Sequence, residues 1–281
     1  MADYANPDAL VETDFVEQHL DDSSIVLVEV DEDTHAYEKG HIPGAIALDW
    51  ETELHDTPRR EFVSAEGLAK LLGEKGISND QTIVLYSGNN NWFASYAYWL
   101  FKYRGVENVK LLNGGRKKWE LESKLLTQDE PNRQPTTYTI GSEKPELRIF
   151  RDEVLKRVEG PAAWVDVRSP EEFRGERTHM PEYPQEGVLR GGHIPGAHSV
   201  PWKRAANDDG TFKAVPDLKA IYEGEIGLNP EDDIVVYCRI GERSSHTWFV
   251  LQQLLGYPTI RNYDGSWTEW GNSVRVPIEK P

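Results

Sequence analysis

The chain has one cysteine, Cys238, and its neighbours set it apart from an ordinary buried thiol. It follows the apolar run Asp233-Ile-Val-Val-Tyr237 and opens the stretch Cys238-Arg-Ile-Gly-Glu-Arg243, after which Ser244 to Leu255 reads as a helix. A strand, a short loop and a helix start aim several backbone N–H groups at one atom. The helix N-terminus adds positive potential, and Arg239 and Arg243 add fixed cations. Each favours the thiolate, so the pattern predicts a Cys238 pKa below the free value of about 8.5 and a nucleophilic sulfur. Gly241 lets the loop curl without a side chain in the cradle. Ser244 and Ser245 are candidates to cap the following helix. Arg239, Ile240, Gly241, Glu242, Arg243 and Ser244 are therefore the expected binding shell around Cys238. Asp166 and Arg168, at the end of another strand, read as a supporting ion pair or loop anchor. A single thiol excludes an intramolecular disulfide, a CxxC redox pair and a multi-thiolate zinc site.

The elements that must hold this loop occur twice. Val28-Glu-Val-Asp31 answers Val165-Asp-Val-Arg168, and Gly40-His-Ile-Pro-Gly-Ala45 recurs intact as Gly192-His-Ile-Pro-Gly-Ala197. Thr82-Ile-Val-Leu-Tyr-Ser87 answers Asp233-Ile-Val-Val-Tyr-Cys238, and Asn113-Gly-Gly-Arg-Lys-Lys-Trp119 answers Asp264-Gly-Ser-Trp-Thr-Glu-Trp270. Glu29 and Asp166 lie 137 positions apart, whereas His41 and His193 lie 152 apart. The second copy thus carries an insertion near Gly175 to Leu189, and its Pro181, Pro184 and Gly187 predict a loop. Ile25–Val30, Ile83–Tyr86 and Ile234–Tyr237 are short, β-branched runs suited to a buried parallel sheet. Trp92–Lys102 and Ser244–Leu255 read as helices, stopped by Gly105 and Gly256. The alternation predicts an α/β fold: two similar domains, each an open, mostly parallel sheet flanked by helices. The expected division is 1–126 for the copy lacking the nucleophile, 127–146 for a Pro- and Thr-rich linker, and 147–281 for the catalytic copy.

The charge balance narrows the partners. With 48 Asp and Glu against 31 Lys and Arg, the net charge of −17 repels phosphate backbones and anionic lipid, which disfavours nucleic-acid and membrane partners. It also repels small anions, so any anion site must create its own local positive potential. The N-terminal stretch lacks a basic segment followed by an apolar one, and no apolar run approaches the roughly 18 residues of a membrane span. The expectation is a cytoplasmic protein. No GxxxxGK[ST], HExxH or GxGxxG pattern occurs, so neither a metal nor a nucleotide cofactor is expected. His41 and His193 recur in a copy without the cysteine and read as turn residues beside Pro43 and Pro195.

At these residues the sequence resembles the rhodanese family in its tandem-domain thiosulfate sulfurtransferase form. The repeated Gly-His-Ile-Pro-Gly-Ala and the segment Tyr263-Asp-Gly-Ser-Trp-Thr-Glu-Trp270 resemble its two signatures, and the likeness runs over nearly the whole chain. In that family the C-terminal domain usually keeps the loop cysteine, and here Ser87 stands at the matching position of the first copy. The resemblance implies attack of the Cys238 thiolate on thiosulfate, release of sulfite, and passage of the persulfide sulfur to cyanide or another thiophile. Loop amides and two arginines suit a large, polarisable persulfide anion. Phosphatases and arsenate reductases of the same fold use Cys-x5-Arg, whereas here Arg243 stands five positions after Cys238 and Ser244 follows it, so phosphatase is the alternative activity. The loop also departs from the Cys-Gly-Ser-Gly-Val-Thr of the mercaptopyruvate branch. A substrate arginine of vertebrate-type members falls at Glu172, which leaves Arg243 as the better candidate. A carrier that stores a persulfide for a partner is the non-enzymatic alternative.

Overall fold

The computed structural model describes residues 3–158, 160, 162–182 and 187–281. The chain forms two compact units. One comprises Asp8–Lys144 and Ala206–Phe212, and the other Met1–Pro7, Pro145–Ala205 and Lys213–Pro281.

The first unit runs β1 (Leu10–Val11), α1 (Thr13–Gln18), β2 (Ile25–Glu29), α2 (Ala36–Lys39), β3 (Ile46–Ala47), a hairpin of β4 (His55–Asp56) and β5 (Glu61–Phe62), α3 (Ala65–Glu74), β6 (Thr82–Tyr86), α4 (Gly88–Arg104), β7 (Val109–Leu112) and α5 (Gly115–Leu121). Its sheet has the order β1-β7-β6-β2-β3, and every pair in it is parallel. The second unit contains α6 (Arg151–Arg157), β8 (Ala163–Asp166), α7 (Pro170–Phe173), β9 (His198–Ser199), α8 (Val215–Lys219), β10 (Ile234–Tyr237), α9 (Glu242–Phe249), β11 (Ile260–Tyr263) and α10 (Ser266–Asn272). Its order β11-β10-β8-β9 is likewise parallel throughout. A single parallel bridge between Arg148 and Asn262 stands where β1 extends the first sheet. The expected α/β architecture with two similar sheets is thus the observed one.

The strand readings hold because their β-branched residues are buried on both faces: all four residues of β10 are buried. Helix starts differ. Regular helix in α4 begins near Trp92, because Asn89, Asn90 and Asn91 adopt left-handed φ of 43°, 58° and 59°. Gly105 then closes it with φ 95°. The helix after Cys238 begins at Glu242, two residues before the expected Ser244, with Gly241 as its N-cap. Neither Ser244 nor Ser245 caps it. The Ser245 hydroxyl instead donates back to the Gly241 carbonyl at 2.7 Å. The stretch read as a linker is tied to the first unit up to Lys144: Thr136 N–H bonds the Gly73 carbonyl, and Tyr138 is buried. Of the insertion, Pro181 and Gly187 are described and Pro184 lies outside the described residues. No described helix is long and apolar enough to cross a membrane.

The repeated residues build the same braces in both units. The Tyr86 hydroxyl accepts from Ile42 N–H at 3.1 Å, as the Tyr237 hydroxyl does from Ile194 N–H. Trp119 and Trp270 are fully buried and donate to the carbonyls of Leu125 and Pro277. His41 and His193 pair through their backbones with Thr127 and Glu279 and stack on Tyr37 and Phe173, a structural role beside the turn prolines. One brace is exchanged. In the second unit Arg168 binds Asp166 at 2.6 Å and the Gly192 carbonyl at 2.6 Å, over the face of Trp267. In the first unit Asp31 stands in place of Arg168 and Arg116 in place of Trp267, and Arg116 reaches from α5 to bind Glu29 and the Gly40 carbonyl. A guanidinium joins the end of the strand to the repeated hexapeptide in each copy, but it comes from a different element.

Asp166 and Arg168 are both fully buried, so removing one charge strands the other in a low dielectric. Arg168→Met should lose about 3–5 kcal/mol of stability, read from the denaturant midpoint, and Asp166→Asn added to it should restore most of that loss. A single variant within about 0.5 kcal/mol of wild type, the range of an ordinary surface substitution, would contradict this role.

Candidate active site

Cys238 follows the central strand β10 and is fully buried. The loop that starts there is held by its carbonyl oxygens. Those of Cys238 and Arg239 accept from the N–H groups of Trp267 and Thr268, both at 3.0 Å, in the first turn of α10. Those N–H groups lack partners within their own helix, so the loop caps α10 while α10 orients the loop. The Gly241 carbonyl accepts from Asn262 Nδ2 at 3.0 Å and from Ser245 Oγ at 2.7 Å. Cys238 N–H donates to Ser266 Oγ at 3.0 Å. With these three carbonyls engaged, the Gly241 N–H donates to Cys238 Sγ at 3.2 Å. Gly241 has φ 96°, and a Cβ there would lie 2.8 Å from the Asp264 backbone, so only glycine fits this turn. Asp264 is itself fixed by a two-pronged pair with Arg148 at 2.7 and 2.8 Å.

The electrostatics of the loop differ from the sequence reading. The Cys238 thiol is pushed up, not down. Burial raises it most and the Glu242 carboxylate adds to that, against the opposing pull of Arg243 and the Ser244 amide. Glu242 Oε2 lies 3.1 Å from Sγ and also accepts from Ile240 N–H at 3.2 Å. The Ile240 amide, expected to face the sulfur, therefore serves the carboxylate. The helix amides are present, but burial and the carboxylate beside the thiol outweigh them.

Arg243 reaches the loop, yet it is not the free cation that the spacing suggested. Its two Nη atoms grip Glu172 at 2.8 and 3.0 Å, its Nε lies 3.8 Å from Glu242 Oε1, and Nη1 meets Met180 Sδ at 3.3 Å. Burial pushes the Glu172 carboxyl up, but the Arg243 guanidinium, helped by Arg168 and the Ser169 amide, holds it down at about 2. Glu172 is ionised at every ordinary pH, and the position where the resemblance expects an arginine holds the countercharge of Arg243. Arg239 is buried in the loop, and Ser244 Oγ donates to Asn262 Oδ1 at 2.7 Å. Asp166 and Arg168 form the anchoring pair described above.

Several residues escaped the sequence reading. Glu172 was legible, because Ser169-Pro-Glu-Glu172 spells a capping box: Ser169 N–H donates to Glu172 Oε2 at 3.0 Å, and Glu172 N–H to Ser169 Oγ at 3.3 Å. Ser266 and Asn262 carry no local signal, since they meet the loop only when β10 and β11 pair. Met180 comes from the insertion, which the first copy lacks.

The matching loop of the first unit is built differently. Ser87 N–H donates to Asn91 Oδ1 at 3.0 Å, and Ser87 Oγ accepts from Ala94 N–H at 3.1 Å. The hydroxyl that replaces the thiol thus caps a helix. Asn91 stands where Glu242 stands in the second copy, and Trp92 where Arg243 does.

Comparison with known proteins finds one kind of domain in both halves of the chain. The Rhodanese-like domain matches residues 12–122 and again 150–273. Sulfur carrier protein TtuD of Thermus thermophilus is 55% identical over 281 residues, spanning 99% of this chain and 98% of that protein. A protein of Saccharopolyspora erythraea named "Putative thiosulfate sulfurtransferase" is 57% identical over 274 residues, spanning 98% and 97%. Among solved structures, EanB bearing a cysteine persulfide, in a tetrahedral intermediate state with ergothioneine, superposes with TM-score 0.86 at 25% identity, covering 100% of this chain and 72% of that one. YnjE superposes with TM-score 0.83 at 25% identity, covering 99% and 69%. Both halves carry the domain and the relatives align along nearly the full length, so the chain belongs to the rhodanese family and contains its domain twice.

Proposed function

We propose that the chain is a sulfurtransferase that takes the sulfane sulfur of thiosulfate onto Cys238 as a persulfide, releases sulfite, and passes the sulfur to cyanide or a thiol. The observation that carries this reading is the one cysteine of the chain, set at the mouth of a central parallel strand with the Gly241 amide on its sulfur. The relatives' names agree with it, and EanB shows that a protein of this fold bears a cysteine persulfide. Transfer in two steps through an enzyme-bound sulfur is covalent catalysis. In this reading 147–281 is the catalytic domain and Cys238 the nucleophile. The loop residues Arg239, Ile240, Gly241, Glu242, Arg243 and Ser244 shape the site around it, with Asp166 and Arg168 in support. The neutralised Arg243 acts chiefly by holding Glu172 and the insertion against the loop.

A second reading keeps the same chemistry and changes the acceptor. The relative named a sulfur carrier favours handing the persulfide to another macromolecule over turnover with a small thiophile. The buried sulfur also suits a site that shields a persulfide between encounters. We place the protein in the cytoplasm in either case, where low-molecular-weight thiols serve as acceptors.

Exposure to thiosulfate should add about 32 Da, one sulfur atom, to the peptide containing Cys238, and cyanide should remove it as thiocyanate. Cys238→Ser should fold and lose both the added mass and turnover. Substantial turnover in that variant would overturn the assignment. Loading without cyanide turnover would favour the carrier reading.

The pH dependence follows from the raised thiol. A pKa above the ordinary value leaves less thiolate at neutral pH, so Cys238 should react with iodoacetamide more slowly than free cysteine at pH 7. The rate should climb with pH to a midpoint above about 8.5. A midpoint below that value would show that the cradle favours the anion after all.

Ser87 should take no part in sulfur transfer, because its hydroxyl caps a helix in the copy without the thiol. Ser87→Ala should cost about 1 kcal/mol of stability, a lost cap, and leave turnover within about twofold. A large loss of turnover in the folded variant would place the first unit in the chemistry.

A further inference from the structure

Glu242 stands out among the buried charges. It is 1% exposed, and its Oε2 is shared between Cys238 Sγ at 3.1 Å and Ile240 N–H at 3.2 Å. Arg243 Nε lies 3.8 Å from its other oxygen, while the Arg243 fork is committed to Glu172. A carboxylate in contact with a nucleophile works against the thiolate, and it would repel a dianion approaching that sulfur. Burial of an acid there is costly unless the pair acts as a unit. In the first unit, which lacks the thiol, Asn91 occupies this position and uses its amide only to brace backbone, through Ser87 N–H and the Leu112 carbonyl. The acid accompanies the thiol.

We infer that Glu242 is a catalytic residue that accepts the Cys238 proton and delivers it to the leaving group, an inference that rests on the persulfide reading above. In the resting pair the proton sits on sulfur and the charge on Glu242. As thiosulfate arrives, the proton moves from Sγ to Oε2. The thiolate's electron pair forms a bond to the sulfane sulfur, and the bond between the two sulfurs of thiosulfate breaks, its electrons leaving with sulfite. Sulfite takes the proton from Oε2 and departs as hydrogen sulfite, which leaves a Cys238 persulfide anion and the Glu242 carboxylate. The total charge is −3 before and after; the cysteine sulfur is oxidised as the sulfonate sulfur of thiosulfate is reduced to sulfite, so no outside oxidant is needed. While the proton rests on Glu242, only one of the two groups facing the dianion is charged.

The active form therefore carries one proton on the Cys238–Glu242 pair. Both groups protonated gives no thiolate, and both deprotonated gives two anions against a dianion, so kcat/KM for thiosulfate should be bell-shaped. The charged groups around it are Arg239 in the loop, Arg243 on α9, Glu172 on α7 and Arg168 after β8. The last three are held in the ion pairs Arg243–Glu172 and Arg168–Asp166.

Glu242→Gln in the full chain tests this with two readouts that a mere pKa-setting role would move together. Removing the negative charge should lower the thiol pKa and speed iodoacetamide alkylation at pH 7. Single-turnover sulfite release from thiosulfate should fall by roughly 10²-fold or more, the usual weight of a positioned proton carrier, and the alkaline limb of the profile should vanish. Glu242→Asp should recover part of the sulfite release. Sulfite release that is unchanged, or that rises in step with alkylation, overturns the inference. Should the glutamine variant fail to fold, a solvent deuterium effect on wild-type sulfite release decides: slowing by about twofold or more supports proton transfer in this step, and no slowing overturns it. Wild-type protein that never gains sulfur on Cys238 would sink the persulfide reading itself, whereas normal loading with an indifferent Glu242→Gln sinks only this proposal.

Discussion

The site depends on where the carbonyl groups of Cys238, Arg239 and Gly241 go. A buried loop must satisfy every backbone oxygen, and an oxygen turned toward the sulfur would repel any anion formed there. Trp267 and Thr268 N–H take the first two, and Asn262 and Ser245 take that of Gly241. The Gly241 N–H is left facing Sγ. Since the donors come from α10 and β11, the cradle is a property of the sheet and its returning helix. The requirement for glycine at 241 follows, because in the turn that presents its amide a Cβ would run into the Asp264 backbone.

Charge is handled locally in a chain of net −17. The buried guanidinium groups of Arg148, Arg168 and Arg243 each hold a carboxylate: Asp264, Asp166 and Glu172. Such pairs add little net stability over a well-packed apolar core, but losing one partner is severe, so they fix geometry more than they add energy. Arg148–Asp264 sets the floor under Gly241, Arg168–Asp166 ties the strand end to the hexapeptide, and Arg243–Glu172 links α9 to α7. The outcome around Cys238 is close to neutral. With burial, that explains why the thiol is raised despite two adjacent arginines.

Duplication followed by divergence is visible in matched atoms. The tyrosine hydroxyls, the tryptophan N–H bonds and the histidine stacks are the same in both copies because they hold the sheet to its flanking segments. The loops differ in what their side chains hold. Ser87 and Asn91 turn inward to brace backbone, and the three left-handed asparagines of that loop replace the single Gly241 turn. The exchange of Arg168 and Trp267 for Asp31 and Arg116 keeps a guanidinium at one point in space while changing the element that supplies it. That is a tertiary constraint, and it is invisible to alignment position by position.

By itself the sequence determined the sheet and the place of its one cysteine. Runs such as Ile234-Val-Val-Tyr237 suit only a strand buried on both faces, repeated motifs must repeat a fold, and a lone cysteine after such a strand falls where parallel sheets bind ligands. The capping box at Ser169–Glu172 was also legible, since its bonds are local. The tertiary structure alone decided which charges meet. Glu172 and Arg243 are 71 residues apart, and Arg148 and Asp264 are 116 apart. Counting cations near Cys238 along the chain predicted a lowered thiol pKa, but a group's electrostatics depend on distance and burial. Packing placed Glu172 on Arg243 and kept Glu242 on the sulfur in a site that water does not screen, so the sign of the shift was set by the fold and not by the loop's composition.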